Sequence, residues 1–246
     1  MPKIYLSPST QEGNQYVTGG SEEYYMNLVA DALEPYLVAN AIQFTRNRPD
    51  MRVTQIQRES NAGNYALHLA LHSNASPEGR YGTLQGVDIY YFGGSPAGKR
   101  AAEITADNFK AIYPDPNKVN IRTTTSLGEV DRVKAPSLFI EIAYHDNIDD
   151  ANWIVNNIGL IARTIALSLA EYFGQPLFEP MQPQRATVRT TSGNLNLRAR
   201  PNTSAQVIGS IPNGAQLTVN GLIPDWASVA YGGKVGFVSR RYLNGV

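Results

Sequence analysis

The chain has 246 residues, 42% apolar and 17% charged, enough length and apolar mass for one large domain and one small one. It contains no cysteine, which excludes disulfides and thiolate metal sites and leaves His, Asp, Glu or weaker oxygen donors as the available metal ligands. No apolar run approaches the roughly 18 residues of a membrane span. Met1-Pro2-Lys3 runs directly into a strand-like segment without signal-peptide features, so a protein acting outside the cell would leave by another route or have lost a leader.

In chain order, Lys3 to Leu6 reads as a first strand. Gly19-Gly20-Ser21 then precedes Leu28, Val29, Ala32, Leu33 and Tyr36 at helical spacing. Ser21 is placed to cap that helix, with Glu22 and Glu23 in the first turn where the helix dipole favours carboxylates. Further strands are expected at Ile42 to Thr45, Leu67 to His72, Val87 to Phe92 and Leu138 to Ile142, and a long helix from Gly159 to Tyr172. The mixture predicts an α/β domain with a mixed sheet flanked by helices over residues 1–175.

Three prolines and little periodicity follow Gly174, which predicts a linker over 176–185. From 186 to 246, short β-branched runs alternate with Gly, Asn and Pro turns, as in a small all-β barrel. The zero net charge conceals an asymmetry. From Arg185 onward seven Lys and Arg residues face Asp225 alone, a net of +6, while the rest holds fourteen basic and twenty acidic residues, a net of −6. A basic small domain beside an acidic large one implies different partners, an anionic cell wall among them; no aromatic and basic nucleic-acid motif is present.

The chain has three histidines, His68, His72 and His145. His68 and His72 share a face whether their segment is helix or strand, and Leu and Ala in it favour helix. Glu141 interrupts the apolar run Ser137-Leu138-Phe139-Ile140-Glu141-Ile142-Ala143, where a carboxylate is costly unless a metal or hydrogen-bond donors compensate it.

Several motifs in order carry a resemblance. They are the glutamate opening the first helix, Arg58-Glu59-Ser60-Asn61, His72-Ser73-Asn74-Ala75, Gly86-Val87-Asp88-Ile89-Tyr90-Tyr91, Ile140-Glu141-Ile142-Ala143-Tyr144-His145-Asp146-Asn147, and Asp149-Asp150 after it. Over residues 3–173 this arrangement resembles the zinc-dependent N-acetylmuramoyl-L-alanine amidases. The resemblance implies hydrolysis of the amide between the lactyl group of N-acetylmuramic acid and L-alanine of the stem peptide. It implies Glu23 and His72 as zinc ligands and Glu141 as the catalytic glutamate. The family usually supplies a first histidine ligand from a Gly-His-Gly-Gly loop, whereas this chain reads Ser7-Pro8-Ser9-Thr10-Gln11-Glu12-Gly13-Asn14. Glu12, Gln11, Asn14 and His145 are the candidates for the third ligand, and oxygen ligation there would admit other divalent metals.

The C-terminal segment resembles a bacterial SH3 domain through Leu195-Asn196-Leu197-Arg198-Ala199-Arg200-Pro201, Val207 to Gly214, Trp226-Ala227-Ser228-Val229 and Gly233-Lys234-Val235-Gly236-Phe237-Val238, with Phe237 where tryptophan is common. That resemblance implies binding of wall peptides, with Trp226 and Tyr242 available as an aromatic surface. The expected protein is therefore a peptidoglycan hydrolase of autolysin or endolysin type, working at the bacterial cell wall and tethered there by a basic barrel. The rival expectation is a catalytically degenerate amidase fold that binds wall without cutting it.

Overall fold

The computed structural model describes residues 1–246, which form two compact units. The larger unit, Lys3–Leu33 with Phe44–Tyr172, is built on a six-stranded mixed sheet in the order β2-β1-β3-β6-β4-β5. Its strands are β1 (Lys3–Pro8), β2 (Gln43–Arg46), β3 (Leu67–Asn74), β4 (Val87–Tyr91), β5 (Val119–Thr123) and β6 (Ser137–Tyr144). β3 runs parallel to β1 and β6, β4 runs antiparallel to β6, and β5 runs parallel to β4.

The segment holding His68 and His72 is a strand, although its leucines and alanines favour helix. It lies between two parallel neighbours, and burial on both faces outweighs weak intrinsic propensity. Strand alternation then sorts its side chains. Leu67, Leu69 and Leu71 join Leu138, Ile140, Ile142, Val87 and Ile89 on a buried, uniformly apolar face. His68, Ala70 and His72 stand on the other face.

The helices are α1 (Glu22–Ala39), α2 (Val53–Ala62), α3 (Pro96–Lys110), the single turn α4 (Gly128–Asp131), α5 (Ile148–Asn156) and α6 (Ile158–Tyr172). Ser21 caps α1 as its position predicts, its Oγ accepting from Tyr24 N at 3.2 Å. α2 and α4 cover the histidine face: Ile56 packs on Tyr5, and Val130 packs on Ala70 and Phe139. α3 starts at Ser95, whose Oγ accepts from Gly98 N, and packs along α6.

The second unit, Met1–Pro2 with Glu34–Gln43 and Phe173–Val246, carries an antiparallel seven-stranded sheet. Its strands are β7 (Gln184–Val188), β8 (Leu195–Arg198), β9 (Val207–Ile211), β10 (Gln216–Leu222), β11 (Trp226–Tyr231), β12 (Lys234–Ser239) and β13 (Leu243–Asn244), in the order β13-β7-β10-β11-β12-β8-β9. Val188, Leu197, Ile211, Leu217, Val219, Val229 and Val238 form its core.

The proline-rich stretch has no helix or strand, yet it is anchored. Phe178 is fully buried with Ala39, Ala41 and Phe237, its ring centroid 5.3 Å from that of Phe237. Asn40 ties down its backbone, accepting from Phe178 N and donating to Phe178 O at 2.9 Å each. Burial of one aromatic ring is worth about 2 kcal/mol, enough to order a segment whose prolines already restrict it.

Candidate active site

Register sets the site. His72 on β3 is the Cα partner of Glu141 on β6, which is in turn the partner of Asp88 on β4. Partners across a sheet point to one face, so an imidazole and two carboxylates stand in a row on the face that carries His68. Immediately beyond, the register slips by one residue between His72/Glu141 and Asn74/Tyr144, and Ala143 takes a left-handed conformation with φ 58°. A non-glycine residue there costs of order 1 kcal/mol and persists only where its surroundings fix it. The bulge turns Tyr144 N onto the buried Asp150 carboxylate at 3.0 Å and ends the row at Glu141.

Asp88 and Glu141 differ in their surroundings. Asp88 accepts from Arg122 Nε at 2.7 Å, Asn120 Nδ2 at 3.1 Å, Tyr144 Oη at 3.3 Å and Asn74 Nδ2 at 3.4 Å. Its charge is fully engaged. Glu141 has a buried Oε2 with no hydrogen-bond partner. Burial first, then the neighbouring Glu22 and Asp88 carboxylates, push its carboxyl up to about 7 against the opposing pull of His72. Proton exchange at neutral pH requires a carboxyl poised in this way.

His72 is clamped on both sides. Its Nδ1 lies 2.8 Å from Glu22 Oε1 and 3.3 Å from Gln11 Nε2. Its Nε2 lies 3.4 Å from Glu129 Oε2, within ion-pair reach but without hydrogen-bond alignment. Burial opposes a charge on the ring, but Glu129 and Glu22 outweigh it and push the imidazole up to about 10. Burial alone would raise both carboxyls, but His72 holds Glu22, and His68 together with His72 holds Glu129, below the usual carboxylate range. Asn14 Nδ2 ties Glu22 and Gln11 together, donating to Glu22 Oε2 at 2.6 Å and to Gln11 Oε1 at 3.1 Å.

The structure sets Glu22, and not the expected Glu23, against His72. Glu22, 1% exposed, reaches His72, whereas its neighbour Glu23 is half-buried and makes no contact with that ring. Successive residues on a helix point about 100° apart, so only one of the pair can face the site. Of the third-ligand candidates, Gln11 reaches His72, Asn14 reaches Glu22 and Gln11, and Glu12 is exposed to solvent. His145 is turned away, its Nδ1 engaged by Ser73 Oγ and O at 3.0 Å each and its ring stacked on Tyr16. Glu129 was not legible as a site residue at all: it sits in a four-residue helical turn, in a polar stretch with Asp131, Arg132 and Lys134 close by, where a glutamate gives no signal.

The N-acetylmuramoyl-L-alanine amidase family profile matches residues 9–171, about two thirds of the chain. The chain belongs to the N-acetylmuramoyl-L-alanine amidase family. A bacterial SH3 domain profile matches residues 193–244. The amidase fold is similar to AmiC2 of Nostoc punctiforme (TM-score 0.62, 14% identity, 71% of this chain and 98% of that one). It is also similar to the catalytic domain of CwlV from Bacillus (Paenibacillus) polymyxa var. colistinus (TM-score 0.61, 17% identity, 70% and 98%). YrvJ of Bacillus subtilis (strain 168) is 37% identical over 57 residues, and that match spans 23% of this chain and 11% of YrvJ.

Amidases of this family generally depend on zinc. No group of three or more His, Cys, Asp or Glu side chains here is arranged to hold a metal ion. The polar atoms nearest His72 Nδ1 are Glu22 Oε1 at 2.8 Å and Gln11 Nε2 at 3.3 Å, a carboxylate and an amide beside one imidazole nitrogen. One imidazole, one carboxylate and one amide oxygen suit zinc less selectively than two imidazoles and a carboxylate.

The barrel carries a separate groove of about 800 Å³, lined among others by Asn196, Arg198, Trp226, Arg240, Arg241 and Tyr242. Three guanidinium groups make it basic, and Arg241 lies 4.6 Å from the Tyr242 ring centroid. Trp226 also packs against the Phe178 and Phe237 cluster, so it is part of the core as well as of the groove wall.

Proposed function

We propose that this protein is a peptidoglycan hydrolase that cleaves the amide between N-acetylmuramic acid and L-alanine of the stem peptide at the bacterial cell wall. The observation that carries the reading is Glu141 Oε2, a buried carboxylate oxygen with no partner beside the His72 imidazole. His72, Glu22 and Gln11 are the residues that would hold zinc. When bound there, zinc supplies Lewis acidity to the scissile carbonyl and to a nearby water.

Glu141 then acts as the proton carrier. Ionised, it accepts a proton from the attacking water as oxygen bonds to the carbonyl carbon. As the C–N bond breaks, it returns that proton to the departing amine nitrogen of L-alanine. Asp88, saturated by four donors, keeps a fixed negative charge alongside and holds up the Glu141 proton affinity. The basic groove of the barrel holds wall peptides and raises the local substrate concentration.

The test is release of new free amino groups from purified peptidoglycan, with chelator and with zinc restored. Chelator-sensitive release of N-terminal alanine supports the reading. A second reading, a wall-binding protein on an enzyme's fold, is favoured by the lack of any histidine in residues 7–14, where the family usually supplies its first ligand. No release under any divalent metal, with the protein still sedimenting with the wall, would establish it instead.

A further inference from the structure

The groove of the small unit is basic, but it also holds one acid, and the two signs of charge are placed together. Asp225 sits in the turn between β10 and β11, which Ile223 N closes by donating to Trp226 O at 3.0 Å. Arg240 opens the 3-10 turn Arg240–Tyr242 that follows β12, and its backbone N donates to Asp225 O at 2.9 Å. The backbone therefore holds the two residues side by side, and both side chains line the groove. They do not pair: the Asp225 carboxylate and the Arg240 guanidinium each have no ion-pair or hydrogen-bond partner. The other two guanidinium groups are engaged. Arg198 Nη1 donates to Ala205 O at 2.8 Å, and Arg241 lies over the Tyr242 ring. Trp226, next to Asp225 in the chain, gives the groove an apolar wall held in place by its packing on Phe178 and Phe237.

We propose that this groove takes an uncrosslinked stem-peptide end whose diamino acid carries a free ammonium and a carboxylate on one carbon, the ammonium at Asp225 and the carboxylate at Arg240. The inference rests on the reading of the groove as the wall-peptide site and names the peptide it selects. Opposite charges fixed side by side and left unpaired match a group that bears the complementary pair on a single carbon. The lining side chains carry a net of +2, so Arg198 and Arg241 remain to face the other carboxylates of the peptide. Trp226 faces the methylene groups of the diamino acid. A lysine in the same place offers the ammonium alone and leaves Arg240 without a partner. An anionic polymer offers phosphate alone and sets it against Asp225, a like-charge contact that costs affinity. Crosslinking turns the ammonium into a neutral amide, so the groove prefers wall whose peptides are not yet joined.

The test is calorimetric binding of soluble probes to the full chain, with chelator present so that no amide is cut. The probes are N-acetylated L-Ala-γ-D-Glu-meso-diaminopimelate, the same peptide with lysine as its third residue, the diaminopimelate peptide with its free amine acetylated, and a glycerol phosphate oligomer. The diaminopimelate peptide should bind about tenfold tighter than either of the other peptides, the worth of one charge-assisted contact. Arg240→Gln should erase the preference over the lysine peptide and keep the preference over the acetylated one. Asp225→Asn should do the reverse. Both variants keep the backbone N–H and C=O that join the two turns, so each reads a charge and not the fold. Equal binding of the three peptides would overturn the proposal, as would preferences that survive both substitutions. Tighter binding of the glycerol phosphate oligomer, strengthened by Asp225→Asn, would overturn it in favour of a phosphate polymer. Wild type that binds the diaminopimelate peptide as expected but releases no alanine from peptidoglycan would refute the proposed reaction and leave the groove's ligand standing. Alanine release together with equal binding of the three peptides would do the opposite.

Discussion

Glu141→Gln should destroy turnover and, at the same time, stabilise the metal-free fold. A glutamate whose carboxyl sits at about 7 instead of its ordinary 4.5 binds its proton more tightly folded than unfolded. The sign follows from linkage. Below the unfolded value the group is neutral in both states and costs nothing. Above it the unfolded chain ionises freely while the folded one resists, so the cost grows with pH and levels off above the folded value. At pH 8 that cost is about 3 kcal/mol, an upper bound on what glutamine can recover because its amide also needs partners. Denaturation in the presence of chelator reads it, with Trp153 of α5 as the reporter in a Trp226→Phe background. The variant should be more stable than wild type at pH 8 by about 1 to 3 kcal/mol, and the difference should shrink towards zero by pH 5. An equal gain at both pH values would assign the effect to shape instead of charge. A loss at pH 8 would refute the reasoning, because it would mean that the ionised carboxylate makes favourable contacts.

Glu22→Gln should abolish zinc retention measured by elemental analysis, whereas Glu23→Gln should keep it within about twofold, which discriminates the two neighbouring glutamates. Gln11→His replaces a weak amide donor with an imidazole and should tighten zinc by at least about tenfold in chelator competition, while weakening manganese relative to zinc. With the His72 imidazole pushed up to about 10, a proton competes with metal at Nδ1 throughout the neutral range. Zinc affinity should therefore rise roughly tenfold per pH unit between about 6 and 8, with close to one proton released per zinc, as calorimetry in buffers of different ionisation enthalpy can count. Protonation of Glu22 and Glu129 does not enter in that range, because both carboxyls are held below their ordinary values.

How much of this was legible in the sequence depends on whether the deciding information was local. The strand at Leu138 to Ile142 and the cost of a carboxylate at Glu141 follow from the apolar run itself, and the structure extends that strand to Ser137–Tyr144 with the Glu141 oxygen unpartnered. His72 stood out because histidine is scarce in the chain and the motif after it is distinctive. The choice between Glu22 and Glu23 is not local. Both suit the first turn of a helix, and what separates them is the rotation of α1 about its axis relative to β3, set by the packing of Met26, Val29 and Leu33 farther along. Glu129 is the extreme case, since nothing within ten residues of it marks it out. Its place comes from Val130 and Leu127 packing on Phe139, which lowers one helical turn onto the histidine face and leaves its acidic residue no other place to go. The place of Glu129 beside His68 and His72 is thus specified by hydrophobic contacts of its neighbours. Val130→Ala, which touches no polar atom of the site, should for that reason loosen Glu129 against His68 and His72 as well as the core, read as a lower melting temperature together with shifted His68 and His72 ring signals in 15N spectra.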